Sequence, residues 1–249
     1  MAGHSKWNNI KRKKEKTDSQ RAKIFTKIGR EIAVAVKEGG SGDPASNSKL
    51  KDCIAKAKAN NVPNENIDRI IKKAVGDGNS DNYEAIQYEG YGPSGIAVIV
   101  ETLTDNRNRT AGDLRHYFDK CGGNLGMTGC VGYLFNKKGI LVIEAEGLDE
   151  DVVMEAALDA GASDFSAEGD VFEIQAEPDT FAAVRDYLEE KGYTFVSAQV
   201  EQVPDVYNTI EDPELVAKME KLLELLDDND DVQNVWHNWE QPETDESAE

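Results

Sequence analysis

The chain has 249 residues, 39% hydrophobic and 31% charged, with 48 Asp and Glu against 28 Lys and Arg and a net charge of −20. That length allows more than one domain with a real core. No run approaches the roughly 18–20 apolar residues of a membrane span, and no apolar h-region marks a secretory signal, so a cytoplasmic protein is expected.

The first residues run against this balance. Residues 4–16, HSKWNNIKRKKEK, carry Lys6, Lys11, Arg12, Lys13, Lys14 and Lys16 against the single acid Glu15. His4, Ser5, Trp7 and Ile10 are interleaved among them. An aromatic among cations suits base stacking with phosphate contact, although a solvated basic tail has the same composition. Residues 1–75 hold 18 basic and 8 acidic residues, a balance of +10; the other 174 hold 10 and 40, a balance of −30. So sharp a split marks a polyanion-binding segment on an acidic body. Residues 1–17 are read as a basic flexible arm whose contact continues through Arg21, Lys23 and Lys27.

Thr17-Asp18-Ser19-Gln20 has the form of a capping box. Phe25, Ile28, Ile32 and Val36 then recur at helical spacing as far as about Lys37, and Gly39-Gly40 ends the helix. A second helix is predicted from near Ser46 with Leu50, Ile54 and Ala57, and a third after the NVPN turn with Ile67, Ile70, Ile71 and Ala74. Residues 18–77 thus read as a three-helix bundle, followed by a linker, GDGNSDN, at 76–82. YEAIQYEGYG and IAVIVETL read as a hairpin, TAGDLRHYFDKCGG as a helix and CVGYLF as a strand. Residues 139–203 give βαββαβ, the ferredoxin-like split motif. DPELVAKMEKLLELLD is an amphipathic helix opened by Pro213, and VQNVWHNW a possible strand. These last elements cannot bury a core alone. They complete a discontinuous α/β domain, 83–138 plus 204–239, around the insert, with an acidic disordered tail at 240–249. The fold class expected is α+β and multidomain.

GYGPSG, residues 90–95, matches G-x-G-x-x-G, but a β-branched strand follows instead of a helix. A hairpin turn explains it better than a dinucleotide site. TDNRNRT, residues 104–110, lies between strand and helix, where Asn108 or Thr110 would cap the first turn. Capping does not need Arg107 and Arg109. Guanidinium groups fork onto phosphates and stack on bases, so Asn106, Arg107, Asn108 and Arg109, extended by Arg115, form a second candidate contact beside the reading as a plain solvated loop. Cys53, Cys121 and Cys130 form no CxxC, and neither they nor His4, His116 and His237 show metal-ligand spacing. Reduced, mostly buried thiols are expected, with no metal or cofactor. No phosphate-binding loop, nucleophile elbow or HExxH is present, so the chain is read as non-enzymatic.

At MAGHSKWNNIKRKKEKTDSQRAKIF the sequence resembles the YebC/PmpR family, whose mitochondrial relative is the translational activator of cytochrome c oxidase. GDPASNSKLKDCIAKAKANNVPNENIDRII, YEGYGPSGIAVIVETLTDNRNRT and GGNLGMTGCVGYLF carry the resemblance on, from residue 2 to about 238. It implies a helical N-terminal domain and two α/β domains, one inserted in the other. It places His4, Ser5, Lys6 and Trp7 in one shared motif and Asn106 to Thr110 in another; Ser94 stands where the family often has Gly. Start-to-start matching leaves no room for a transit peptide, which implies a bacterial cytoplasmic member. The family is described as DNA-binding transcriptional regulators, and its relatives help ribosomes through proline-rich stretches. Several separated basic contacts on an acidic body suit a crevice in structured ribosomal or transfer RNA, the reading preferred here. The alternative is a promoter-binding regulator, although the sequence offers no clear helix-turn-helix and no heptad seam for a symmetric dimer. A monomer is expected.

Overall fold

The structure is a computed structural model that describes residues 18–76 and 83–241. The basic arm, the Thr17 cap, most of the linker and nearly all of the acidic tail lie outside the described residues. Within them are seven α-helices and two four-stranded antiparallel sheets, a mixed α+β fold.

Helix α1, Asp18–Gly39, buries Ile28, Ile32, Ala35 and Val36, the i, i+4, i+7, i+8 stripe of an amphipathic helix. It ends where Gly40 adopts φ +62, the left-handed C-cap conformation. Helix α2, Ser48–Ala59, is capped by Asn47, whose Oδ1 accepts from the Leu50 N–H at 3.1 Å. The same buried amide donates to the carbonyls of Ala35 and Ser41 at 2.8 and 3.0 Å, so one side chain starts α2 and holds the end of α1. Helix α3, Asn64–Gly76, completes the bundle with Ile67 and Ala74 against Leu50, Ala57 and Val62.

Strands β1, Glu84–Tyr91, and β2, Ala97–Thr104, form the expected hairpin, with Tyr91 opposite Ala97 and Glu84 opposite Thr104. GYGPSG makes their turn, a short 3-10 segment at Pro93–Gly95. Gly92 is required by packing, because a Cβ there would come within 2.9 Å of Met219 Sδ. Helix α4, Arg107–Lys120, and the two-residue strand β3, Asn124–Leu125, follow. Helix α7, Pro213–Asp228, and strand β8, Val232–His237, return from the C-terminal side. The sheet order is β3-β1-β2-β8. Val98 and Val100 meet Leu114 and Phe118 of α4, Met219, Leu222 and Leu226 of α7, and the fully buried Trp239.

CVGYLF is not a strand. Gly132–Leu134 forms a 3-10 turn, and β4 starts only at Phe135, running to Glu144. The cause is Glu89, buried on β1, whose carboxylate accepts from Val131 N–H at 2.9 Å and Gly132 N–H at 2.7 Å. Those donors are then lost to any ladder. Burial works against the Glu89 charge, but the backbone N–H groups more than compensate and hold its pKa below the ordinary value.

The second sheet has the order β5-β6-β4-β7, from β4 with Asp164–Glu168, Val171–Ala176 and Ser197–Pro204 as β5, β6 and β7. All neighbours are antiparallel, as in the split βαββαβ motif. Helices α5, Glu150–Asp159, and α6, Phe181–Glu190, cover one face through Val153, Ala157, Phe181, Val184 and Leu188. Gly139 lets α6 pass, since a Cβ would lie 2.5 Å from the Phe181 ring. Contacts divide the described residues into two compact units, residues 135–209 with 240–241, and residues 18–76, 83–134 and 210–239. The first unit starts with β4 at Phe135 and runs to Thr209.

Ser94 has φ +58, a left-handed conformation that costs an L residue roughly 1–2 kcal/mol, partly offset by the greater unfolded-state entropy of glycine. Ser94→Gly is expected to stabilise the chain by up to about 1 kcal/mol, read as a rise in the thermal unfolding midpoint. A lower midpoint would show that Ser94 is not strained.

Candidate nucleic-acid interface

The second candidate contact lies where β2 gives way to α4, and the helix begins earlier than its sequence suggests. Asn106, with extended φ −144, is the N-cap, and its Oδ1 accepts from the Arg109 N–H at 3.1 Å. Neither Asn108 nor Thr110 caps the helix. Arg107 and Arg109 therefore stand in its first turn and not in a loop, and Thr110 is fully buried beneath them. The Asn106 N–H donates to Thr104 Oγ1 at 2.9 Å, which ties the cap back to the strand.

What sets that start is Asp231, just ahead of β8 and only 4% exposed. Thr110 Oγ1 and an Arg109 guanidinium nitrogen each lie 2.8 Å from Asp231 Oδ2. Arg30 of α1 donates to Oδ1 at 2.9 Å and to the Asp230 carbonyl at 2.7 Å. Burial pushes the Asp231 pKa up, but hydrogen bonds from Arg109, Thr110 and Arg30 outweigh it, and the net shift is downward. Arg109 also pairs with Asp105 at 2.8 Å, and so it carries two acids of its own chain. Arg107 and Arg115 are exposed, as is Asn108, and both arginines lack an ion-pair partner among the described residues. They are the cations of this motif open to an external anion, and Arg107 adds its charge to the positive end of the α4 dipole.

The candidate cations of α1 meet a different fate. Lys23 pairs with Asp228 at 2.8 Å. Lys27, 8% exposed, donates to the Asp227 carbonyl at 2.6 Å, satisfying a free acceptor at the C-terminal end of α7. Arg21 is exposed but has an interaction within the protein. Lys49 and Lys56 pair with Glu38 and Glu31, each at 2.7 Å. His4, Ser5, Lys6, Trp7, Lys11, Arg12, Lys13, Lys14 and Lys16 lie outside the described residues.

Sequence reasoning missed Lys58 of α2 and Arg69, Lys72 and Lys73 of α3, all exposed and without an acidic partner among the described residues. The run RIIKK held the signal: Arg69, Lys72 and Lys73 stand at i, i+3 and i+4, on one helix face. Burial pushes the Cys53 thiol up to about 12, so it stays protonated. His237 is kept neutral, its pKa pushed down to about 4 by burial. No group of three His, Cys, Asp or Glu suited to a metal occurs among the described residues, and no helix among them is long and apolar enough to cross a membrane.

Removing Asp231 takes a charged acceptor from Arg30 and from the buried Thr110 hydroxyl, while Arg109 keeps Asp105 and stays exposed to water. Asp231→Ala is expected to destabilise the chain by about 1.5–3 kcal/mol in chemical denaturation. Because the folded carboxyl has the lower pKa, its contribution is full above the unfolded value of roughly 3.9 and fades as pH falls through the folded one. Acid titration of stability should therefore be shallower in the variant than in the natural chain; equal slopes would remove Asp231 from this role.

Comparison with known proteins follows the same order of parts. Residues 5–77 match the model of the TACO1/YebC protein N-terminal domain, and residues 83–239 that of the TACO1/YebC second and third domain. A probable transcriptional regulatory protein of Acetivibrio thermocellus is 62% identical over 90% of this chain and 93% of its own. Another of that name, from Ruminiclostridium cellulolyticum, is 59% identical over 90% of both. The crystal structure of a conserved hypothetical protein from Aquifex aeolicus superposes with a TM-score of 0.83 at 42% identity, covering 93% of this chain and 95% of that one. With both models matched in chain order and relatives this similar over nine-tenths of its length, the chain belongs to the TACO1/YebC family.

Proposed function

We propose that this protein is a non-enzymatic, nucleic-acid-binding regulator of gene expression that acts as a translation factor on structured ribosomal or transfer RNA, in line with the family role at proline-rich stretches. The observation that carries the nucleic-acid reading is how the cations are sorted. Lys23, Lys27, Arg30 and Arg109 are engaged by acids or carbonyls of the chain itself, whereas Arg69, Lys72, Lys73, Arg107 and Arg115 are exposed with no acidic partner among the described residues, Arg69 bonding only the neutral Asn66 amide. A chain of net charge −20 leaves these groups at separate points, α3 and the start of α4. Separated phosphate contacts of this kind suit a large folded RNA, recognised by shape. The basic arm, with Lys6 and Trp7, would add a third contact.

The names of the relatives favour a second reading, in which the same cations meet promoter DNA. Cross-linking in cells, followed by sequencing of the attached nucleic acid, separates the two. Reads focused in ribosomal or transfer RNA support the translation reading, and reads focused at promoters support the other.

The two arginines of the α4 first turn should behave differently. Arg107→Ala with Arg115→Ala is expected to keep the natural unfolding midpoint while weakening RNA binding, reducing the salt slope of log K by roughly 0.7–0.9 per lost phosphate contact. Arg109→Ala should instead lower stability, because it strips a partner from buried Asp231. Unchanged RNA affinity in the double variant, measured by titration at several salt concentrations, would remove α4 from the interface.

A further inference from the structure

Between α1 and α3 lies a groove of about 730 Å³, within the size range of ligand sites. Its floor is apolar, with Phe25, Ala33, Val34 and Ile70, and Tyr83 lines it as well. The Arg30 guanidinium lies 5.3 Å from the centre of the Tyr83 ring, within cation–π range. Arg69 and Lys73 stand on the groove's edge, one helical turn apart on α3 and both exposed. The bundle core beneath is complete without these surfaces: Ile28, Ile32, Leu50 and Ile67 are buried, while Phe25, Ala33 and Ile70 are only half-buried.

We propose that this groove takes an unstacked base of single-stranded nucleic acid, packed against Phe25 and Tyr83, with the flanking phosphates on Arg69 and Lys73. The proposal rests on the nucleic-acid reading above and names the form of ligand that the helical bundle selects. Aromatic faces with adjoining cations accept any base, because every base has a π-face. A base still paired in a duplex is stacked on its neighbours and cannot enter a recess between two helices, so loops and single strands are selected over helices. The one acid of the lining, Glu38, is paired with Lys49 at 2.7 Å, so the edge keeps a positive balance that matches phosphates, and its two cations at i, i+4 are within the reach of adjacent ones.

The test uses the full chain and two labelled probes, a ten-nucleotide oligoadenylate RNA and an RNA duplex of equal charge, followed by fluorescence anisotropy. The single strand is expected to bind more tightly than the duplex. Val34→Trp, which fills the groove, should weaken oligoadenylate binding by about tenfold or more without changing the salt slope. Arg69→Ala with Lys73→Ala should reduce that slope by roughly 1.4. Because a groove-filling variant can misfold, the natural chain is also irradiated with an oligonucleotide carrying 4-thiouridine. Cross-links at Phe25, Tyr83 or their neighbouring residues support the groove, and cross-links confined elsewhere overturn it. If neither probe binds the natural chain, the nucleic-acid reading falls and the groove proposal with it. If both bind, and Arg107→Ala/Arg115→Ala weakens them while Val34→Trp does not, the groove proposal alone falls. Loss in Val34→Trp of binding to an acidic helical peptide, with RNA binding intact, would make the groove a protein site and overturn the proposal.

Discussion

The carboxylate of Asp231 is the constraint on which the larger unit depends. A buried charge is tolerated only when its attractions and hydrogen bonds repay several kcal/mol of lost hydration. Here the repayment comes from Arg30 on α1, Arg109 and Thr110 on α4, and the hydroxyl of Thr104 at the end of β2, 3.3 Å away. Its backbone takes part as well, since the Asp231 carbonyl accepts from the Leu103 N–H at 2.8 Å and so aligns the entry to β8. Elements far apart in sequence are thereby referred to one atom group. Hydrophobic packing alone would let them slide, because it is not directional.

Asp231 and the acidic residues just before it decide which cations are left for other work. The excess of +10 in residues 1–75 looks like one basic surface when counted along the chain. In the fold, part of it is turned inward: Lys23, Lys27 and Arg30 all reach residues 227–231, the acidic end of α7 and the turn after it. A helix C-terminus carries free carbonyls and a partial negative charge, so acids placed there are unfavourable unless cations neutralise them. Helix α1 supplies that neutralisation. Exposed positive charge is thus shifted from α1 toward α3 and the first turn of α4, a redistribution invisible to residue counting.

What the sequence made legible was mainly periodicity. Ile28, Ile32 and Val36, and the order of strands and helices through 139–203, follow from local pattern, and each matches the observed element because the apolar stripe is also the buried one. The failures share a different cause. In N-R-N-R-T three residues are chemically able to cap, and the choice of Asn106 is made by Thr104 and by Asp231, 125 positions further on. CVGYLF has the composition of a strand, yet Glu89, 42 positions before Val131, takes the N–H groups of its turn. Nothing local distinguishes Arg107 from Arg109 either. A side chain that acts at long range in sequence overrides propensity at each of these places, and a single sequence read in windows has no access to it.

A net charge of −20 looks incompatible with a polyanionic partner, but range decides the matter. At physiological ionic strength the Debye length is about 8 Å, so exposed acids farther than that from a phosphate are largely screened. Repulsion from the acidic body then falls mainly on poses that press it against the nucleic acid. Poses that present α3 or the start of α4 meet local positive charge, and Asp105 and Asp231, the acids nearest Arg109, are already paired with it. Under the proposed nucleic-acid reading the acidic surface would act as a filter on orientation: it would weaken sequence-independent sliding along an extended duplex, where any face would have to serve, and cost little where a partner offers phosphates only at separated points. On that reading, the asymmetry would favour phosphates presented at separated points over a uniform rod of charge.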